Sequence, residues 1–282
     1  MNQISITPCN GPGAEIGNID LSQGPSEADF ETIRQAFANH GLIFFRDQTI
    51  TPEQHIAFAK RWGDININRF FTPVDGYPEI AEVRKEPDQA TNIGGGWHTD
   101  HSYDVEPAMG SILVARELPP KGGDTMFADM AAAYEALDDE TKTLLDGLEA
   151  VHSSKQIFGQ QGGYKNDSDA NDRLGNADAA DALDDVIHPV AITHPLSGKK
   201  ILYVNAAFTI GIKGWSREDS MKLLMKLYTH AAQDRFVTRF EWKPGSIAFW
   251  DNRATWHYAL NDYQGERRVM HRITLEGCAL AA

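Results

Sequence analysis

The chain has 282 residues, of which 41% are hydrophobic, with a formal net charge of −14 and a mean hydropathy of −0.41. This length fits one large domain or two small ones, and the hydrophobic share is enough to form a buried core. Because an acidic surface repels nucleic acid and anionic lipid, the charge excludes both as expected partners, although a few local arginines still allow an anionic substrate.

The sequence carries no targeting or disulfide signal. Residues 1–5 contain neither a basic nor an apolar segment, so we expect no signal peptide. No apolar run reaches the roughly 20 residues that span a membrane, so we expect a cytoplasmic protein without a membrane partner. The two cysteines, Cys9 and Cys278, constitute neither a disulfide framework nor a cysteine-based zinc site.

Along the chain, predicted strands are widely separated and helices lie between them. Residues 3–22 alternate weakly and are typical of strand and turn. A helix is predicted to begin after Ser26, which can cap it, and to end at Gly41. A buried strand follows at 42–45, and Thr51 then caps a second helix that contains proline in its first turn. Further strands are predicted at 79–84, 110–116, 200–205, 246–250 and 267–276, and further helices near 129–147 and 216–232.

The segment 159–185 differs from the rest of the chain because it is rich in glycine, asparagine, aspartate and alanine. It has few large apolar groups, so it cannot bury enough surface to order by itself. One interpretation is a mobile surface loop, and the other is a lid that closes over a bound substrate. A loop this long inside a compact domain favours a functional or disordered segment over a structural one.

The chemistry of the chain is indicated first by His98 and Asp100, which are separated by a single residue. In a strand these two side chains would lie on the same face. If His257 joins them, two imidazoles and one carboxylate form a set of ligands that suits non-haem Fe(II) and leaves three coordination positions open. Taken alone, the pair is weak evidence, because most such pairs are structural or lie on the surface.

Two arginines on the last predicted strand strengthen this interpretation. Arg268 follows His257 and offers the planar clamp that the distal carboxylate of a metal-bound 2-oxo acid requires. Arg268 and Arg272 share one strand face and lie about 13 Å apart at 3.3 Å per residue. Two arginines on a buried face are costly unless the face lines a polar pocket. The alternative is an exposed basic stripe.

Two further segments add candidates. Gly122 and Gly123 permit a tight turn, and Thr125 offers a hydroxyl just beyond it, although an ordinary turn before a strand would look the same. The segment 250–257 follows an apolar strand and places His257 at a strand end or turn, where functional residues concentrate.

Together these segments resemble the taurine dioxygenase and 2,4-dichlorophenoxyacetate dioxygenase family of Fe(II)/2-oxoglutarate-dependent oxygenases. The resemblance extends from about Ile4 to Leu275. Its densest matches are Trp97–Asp100, Gly122–Thr125, His194–Gly198, Leu202–Asn205, Trp250–Arg253 and Arg267–Arg272.

The resemblance implies a mainly β fold with α insertions, in which residues 1–282 form a single domain around a double-stranded β-helix, or jelly-roll, core. It implies that His98, Asp100 and His257 are the iron ligands, with O2 as a cosubstrate. It also implies that Thr125 and Arg268 hold 2-oxoglutarate, and that the protein is a homo-oligomer, either a dimer or a tetramer.

The resemblance further implies that Arg272 binds the anionic group of a small-molecule substrate and that Phe158 and Phe208 are pocket aromatics. Asn68 and Gly94 fall where taurine dioxygenase has a substrate-contacting histidine and an asparagine. We therefore expect a substrate larger and more apolar than taurine, such as an aryloxyalkanoate, an alkyl sulfate or a sulfonate. Its hydroxylation would be coupled to conversion of 2-oxoglutarate to succinate and CO2.

Two other functions compete with this one. A zinc hydrolase can use the same His98, Asp100 and His257 ligands, but it needs a general base nearby and has no use for Arg268. A non-catalytic jelly-roll binding protein would lack a ligand or an anchor, and none is missing. We interpret the remaining histidines, including His101 and His271 beside the motifs, as structural or surface residues.

Overall fold

β-Strands outnumber helices in the computed structural model, which describes residues 3–164, 173–174 and 177–282. The helices are Glu27–His40 (α1), Pro52–Lys60 (α2), Met130–Glu135 (α3), Asp139–Leu145 (α4), Lys155–Phe158 (α5), Ala177–Ala182 (α6) and Arg217–Ala231 (α7). The strands are Ser5–Pro8 (β1), Ala14–Gly17 (β2), Leu42–Phe45 (β3), Ile65–Asn66 (β4), Pro73–Val74 (β5), Tyr77–Lys85 (β6), Gly110–Glu117 (β7), Thr125–Asp129 (β8), Glu149–His152 (β9), Val186–Pro189 (β10), Ala191–Thr193 (β11), Lys200–Leu202 (β12), Thr209–Ile212 (β13), Val237–Phe240 (β14), Ile247–Asp251 (β15), Thr255–Ala259 (β16) and Arg268–Leu275 (β17).

Two of the sheets frame the functional region. The large sheet has the order β1-β2-β3-β15-β7-β17-β6-β5, with β4 also paired to β17, and its β2–β3 pair is parallel. The smaller sheet has the order β14-β8-β16. The predicted mainly β fold with helical insertions is therefore confirmed. The two sheets share one apolar core, formed by Leu42, Phe44, Leu113, Phe127, Phe240, Trp242, Ala248, Trp250 and Met270.

The first two helices form as the sequence predicts. The Ser26 hydroxyl accepts a hydrogen bond from the N–H of Asp29, and α1 ends at Gly41, whose φ of 65° is left-handed. Thr51 and Gln54 form a reciprocal capping box at the start of α2. These local hydrogen bonds determine where both helices begin without any contribution from tertiary contacts.

The predicted helix at 129–147 is wrong in one respect, because the structure divides it into α3 and α4. The Asp138 carboxylate accepts a hydrogen bond from the N–H of Thr141 at 2.6 Å and thereby starts a new helix. Aspartate competes with the helix backbone for hydrogen bonds and favours such a cap over an interior position.

The segment 159–185 is only partly described. Residues 177–182 form α6, which packs against α5, and Leu174 forms an isolated β-bridge with Phe71. Residues 165–172 and 175–176 lie outside the described residues, so the lid remains a prediction. No helix in the described part of the chain combines the length and apolar character needed to cross a membrane.

Two histidines buried away from the cavity predict acid sensitivity. Burial lowers the pKa of His55 to about 3, helped by Arg116 and His271, and burial lowers the pKa of His152 to about 3, helped by His188. Their ordinary value is 6.5, so below that pH the unfolded chain binds more protons than the folded one. Their contribution to stability is complete above pH 6.5 and falls toward pH 3, by up to about 1.4 kcal/mol per pH unit for each histidine.

Urea unfolding of the metal-free protein at about pH 7 and about pH 5 would measure this loss. We expect the His55→Phe variant to have a shallower pH dependence than the unmodified chain, because phenylalanine does not titrate. Equal slopes for the two proteins would contradict the assignment.

Candidate metal centre and active site

A cavity of about 690 Å³ lies between the large sheet and the β8–β16 pair. Strand β17 contributes Arg268 and Arg272 to its wall, β8 contributes Thr125 and β16 contributes His257. The prediction that Arg268 and Arg272 share one face of the last strand is therefore confirmed. The structure brings to this cavity the following predicted site residues: Gly94, His98, Asp100, Thr125, Phe158, Phe208, His257, Arg268 and Arg272.

Three of these residues form the candidate metal centre. The ligand atoms of His98, Asp100 and His257 all lie within 4.8 Å of one another. Asp100 Oδ1 is 3.7 Å from His98 Nε2, and its Oδ2 is 3.7 Å from His257 Nε2. Two imidazole nitrogens and one carboxylate oxygen therefore converge on a single point, as a divalent metal ion requires.

The backbone explains how distant parts of the chain meet here. His98 N–H donates to the His257 carbonyl at 3.1 Å, and His257 N–H donates to the His98 carbonyl at 2.8 Å. This isolated bridge replaces the regular strand predicted around His98 and Asp100. The chain turns immediately afterwards, with His101 at a φ of 60°, so no strand continues. The side chains of His98 and Asp100 nevertheless lie on the same side of the chain, as the sequence predicts.

The first imidazole is oriented by a backbone carbonyl. His98 Nδ1 lies 2.7 Å from the Gly96 carbonyl oxygen, which can only accept, so Nδ1 carries a proton and, in the neutral imidazole, Nε2 is the nitrogen with the free lone pair. Burial, and then the repulsion that a protonated His98 would exert, lowers the pKa of His257 well below its usual value, which favours the neutral form. Neutral imidazole is the form that binds metals.

Asp100 and Arg272 form a buried ion pair. Arg272 Nη1 donates to Asp100 Oδ2 at 2.9 Å. Burial raises the pKa of Asp100, but the charges of Arg272 and then His257 outweigh this effect, so the carboxyl stays ionised. Arg272 Nε is buried without a hydrogen-bond partner, and the guanidinium carbon lies 4.5 Å from the centre of the Phe71 ring. Arg272 thus supports a candidate metal ligand, and its Nε remains available to donate a further hydrogen bond.

Arg268 forms a second cationic position in the same cavity. It is 5% exposed, and its Nε and Nη2 have no hydrogen-bond partner among the described residues. Burial lowers the pKa of Arg268, while the charges of Tyr263 and Asp124 oppose the change. A buried guanidinium without an acceptor is costly, so this position is suited to a bound anion.

The predictions for Gly94 and Asn68 have different outcomes in the structure. Gly94 has a φ of 81°, and a Cβ there would lie 3.2 Å from His98 Cε1, so glycine lets the chain pass close to the ligand imidazole. Asn68 does not line the cavity, contrary to the substrate-binding role expected of it. Its side-chain oxygen accepts from the N–H groups of Phe70 and Phe71 instead, as in a typical asparagine turn.

Sequence reasoning did not single out several residues of the cavity, among them Phe71 and Tyr164, nor Trp242 behind its wall. Phe71 and Tyr164 line the cavity, and the Tyr164 hydroxyl accepts from Gly94 N–H at 3.3 Å. Trp242 lies behind the wall and donates to Thr125. The one available signal was the spacing of two residues between Phe240, at the end of β14, and Trp242. In an extended chain this spacing predicts that both side chains lie on the same face, toward the core.

The donor set fits a divalent transition metal, with Fe(II) among the metals such a set binds. A zinc hydrolase would need an additional general base. Among the described residues that line the cavity, Asp100 is the one carboxylate and His98 and His257 are the histidines, and all three are candidate metal ligands. The site therefore provides no free base for hydrolysis, whereas Arg268 fits a cosubstrate carboxylate.

Comparisons with known proteins agree with this geometry. A profile described as "Taurine catabolism dioxygenase TauD, TfdA family" matches residues 5–274. An alpha-ketoglutarate-dependent sulfate ester dioxygenase from Pseudomonas putida is 34% identical over 278 residues, which cover 98% of this chain and 90% of that protein. An alpha-ketoglutarate-dependent 2,4-dichlorophenoxyacetate dioxygenase from Burkholderia sp. (strain RASC) is 31% identical over 283 residues, with 93% and 91% covered.

Solved structures agree as well. A taurine dioxygenase from Burkholderia xenovorans has a TM-score of 0.81 at 32% identity, with 98% of this chain and 90% of that chain covered. AAD-2 in complex with Mn(II) and N-oxalylglycine has a TM-score of 0.82 at 29% identity, with both chains fully covered. These matches along nearly the whole sequence confirm the resemblance, and the chain belongs to the taurine catabolism dioxygenase TauD, TfdA family.

Proposed function

We propose that this protein is an Fe(II)- and 2-oxoglutarate-dependent dioxygenase that hydroxylates a small organic anion. One observation carries the proposal: a cluster of two histidines and one aspartate shares a cavity with two buried arginines, and Arg268 has no acceptor for its Nε and Nη2 among the described residues. The names of the relatives support the same reaction class.

His98, Asp100 and His257 would hold the iron. When bound there, iron would couple the oxidative decarboxylation of 2-oxoglutarate by O2, which gives succinate and CO2, to hydroxylation of a substrate C–H bond. Arg268 and Thr125 bind the distal carboxylate of 2-oxoglutarate and so orient the cosubstrate in the cavity. The protein itself contributes binding, orientation and the exclusion of water.

Arg272 binds the anionic group of the substrate and thereby fixes which carbon approaches the metal centre. Phe71, Phe158 and Phe208 form an apolar wall that excludes water and accepts the body of the substrate. This chemistry suits an alkyl sulfate, a sulfonate or an aryloxyalkanoate. If the hydroxylated carbon bears oxygen or sulfur, the product would break down with cleavage of an ester, ether or C–S bond.

We also propose that the two facing sheets form a double-stranded β-helix and that residues 1–282 act as one domain. Their shared core supports this architecture. The segment 159–185 would close over the substrate as a lid, since Tyr164 at its start already contacts Gly94 beside the metal ligands. We further propose that the protein assembles into a homodimer or homotetramer.

We expect Fe(II)-loaded protein to form succinate from 2-oxoglutarate in an O2-dependent reaction that one substrate class stimulates. The panel should contain alkyl sulfates, sulfonates, aryloxyalkanoates and taurine. His98→Ala is the control, because it removes one metal ligand and leaves both arginines in place. Succinate at the level of this variant with every compound, together with failure of 2-oxoglutarate to bind, would refute the proposal.

A further inference from the structure

Trp242 is buried behind the cavity wall and hydrogen-bonds to a cosubstrate residue. Its Nε1–H donates to Thr125 Oγ1 at 3.0 Å, and both side chains are less than a tenth exposed. An indole N–H can only donate, whereas a threonine hydroxyl has one hydrogen and two lone pairs. The bond therefore occupies a lone pair of Thr125, and the hydroxyl hydrogen remains to be donated.

The same indole lies beside Arg268. The guanidinium carbon is 5.8 Å from the centre of the Trp242 ring. On another side, Gly123 has a φ of 73°, and a Cβ there would lie 3.1 Å from Arg268 Cδ, so the arginine stem packs against bare backbone. Trp242 and Gly123 thus confine the side chain that offers its Nε and Nη2 to an anion.

The neighbouring acid does not neutralise Arg268. Arg239 Nε donates to Asp124 Oδ2 at 2.7 Å, so this carboxylate is already engaged. Within the described part of the chain, no ion pair is formed by Arg268. The Thr125 hydroxyl hydrogen and two guanidinium nitrogens, Nε and Nη2, therefore remain as donors in one region of the cavity, and Trp242 hydrogen-bonds to Thr125 and lies beside Arg268.

We propose that Trp242 is a positioning residue that makes the protein selective for a 2-oxo acid with a second, distal carboxylate. It keeps the Thr125 hydroxyl in the donating role and holds Arg268 in place, without lining the cavity itself. This inference rests on the proposed function, because it concerns the part of the site that binds 2-oxoglutarate.

The test compares two ligands that differ only at the distal end, 2-oxoglutarate and 2-oxopentanoate. Both are titrated into the Mn(II)-loaded protein without O2, and binding is followed by calorimetry. We expect Trp242→Phe to weaken 2-oxoglutarate binding about tenfold, because a hydrogen bond to a charged group loses its orientation. Binding of 2-oxopentanoate should change by less than about twofold, because it makes no distal contact.

Trp256→Phe is the matched control. Trp256 is also buried, but its Nε1 donates to the Val204 carbonyl at 2.9 Å, so the same change should leave the ratio of the two affinities unaltered. A second arm combines Trp242→Phe with Thr125→Val, and the loss in the double variant should be smaller than the sum of the two single losses, because Trp242 acts in part through the Thr125 hydroxyl. A third arm needs no Trp242 variant: the indole N–H resonance of Trp242 should shift in Thr125→Val.

The outcomes separate the two proposals. If the unmodified protein does not bind 2-oxoglutarate, the proposed function fails. If it binds but Trp242→Phe keeps the original affinity ratio, or loses both ligands equally, the inference about Trp242 is overturned and the function stands. Additive losses, or an indole resonance that does not move in Thr125→Val, would also overturn it.

Discussion

Replacing Arg268 by methionine is expected to weaken 2-oxoglutarate binding at least about a hundredfold while leaving the fold intact. The distal carboxylate would lose a bidentate, charge-assisted partner in a buried site, where removing one member of an ion pair costs about 3–5 kcal/mol. Stability should hold or rise, because the unliganded protein loses a buried cation whose Nε and Nη2 have no acceptor in the described structure.

Arg268→Lys is the matched control for charge. Lysine keeps the positive charge but not the planar pair of donors, so its affinity should lie between those of the unmodified protein and Arg268→Met. Anaerobic calorimetry with Mn(II) measures binding, and thermal unfolding measures stability. Equal affinities of Arg268→Met and the unmodified protein would place the cosubstrate elsewhere.

Replacing Asp100 by asparagine is the second change with a large expected effect, because this carboxylate has two roles. It is a candidate metal ligand, and it compensates the buried charge of Arg272 at 2.9 Å. In the metal-free protein we expect the free energy of unfolding to fall by about 3–5 kcal/mol, since Arg272 is left without its partner. Metal affinity should fall by about a hundredfold or more, beyond the loss typical of a residue that only supports a ligand.

Arg272→Met distinguishes the two roles. Combined with Asp100→Asn, it removes both charges, so the double variant should be less destabilised than the sum of the two single changes. Urea unfolding in the presence of a chelator gives the stabilities, and calorimetric titration with Mn(II) gives the metal affinities. Strictly additive losses of stability would show that the ion pair is not the cause.

The parts of the fold and site that could be predicted depend on local signals. The caps at Ser26 and Thr51 were sufficient to place α1 and α2, because they use residues three apart in the chain. The period of two along β17 was sufficient to place Arg268 and Arg272 on one face, and the structure brings both to the cavity.

The parts that could not be predicted depend on contacts between distant residues. The bridge from His98 to His257, the ion pair from Asp100 to Arg272 and the hydrogen bond from Trp242 to Thr125 each join separate segments. No periodicity within one segment carries such information.

The reciprocal bridge between His98 and His257 has a consequence for the order of folding. Four strands of the two sheets, β7, β8, β14 and β15, lie between these two residues in the chain, so His98 and Asp100 are synthesised well before His257. A partly folded chain that has not yet paired β16 lacks one of the three candidate ligands, and pairing of such distant segments is slow. Metal binding would therefore stabilise only the completed fold. A free metal concentration of about a hundred times the dissociation constant would add about 2.7 kcal/mol to the free energy of unfolding of that state.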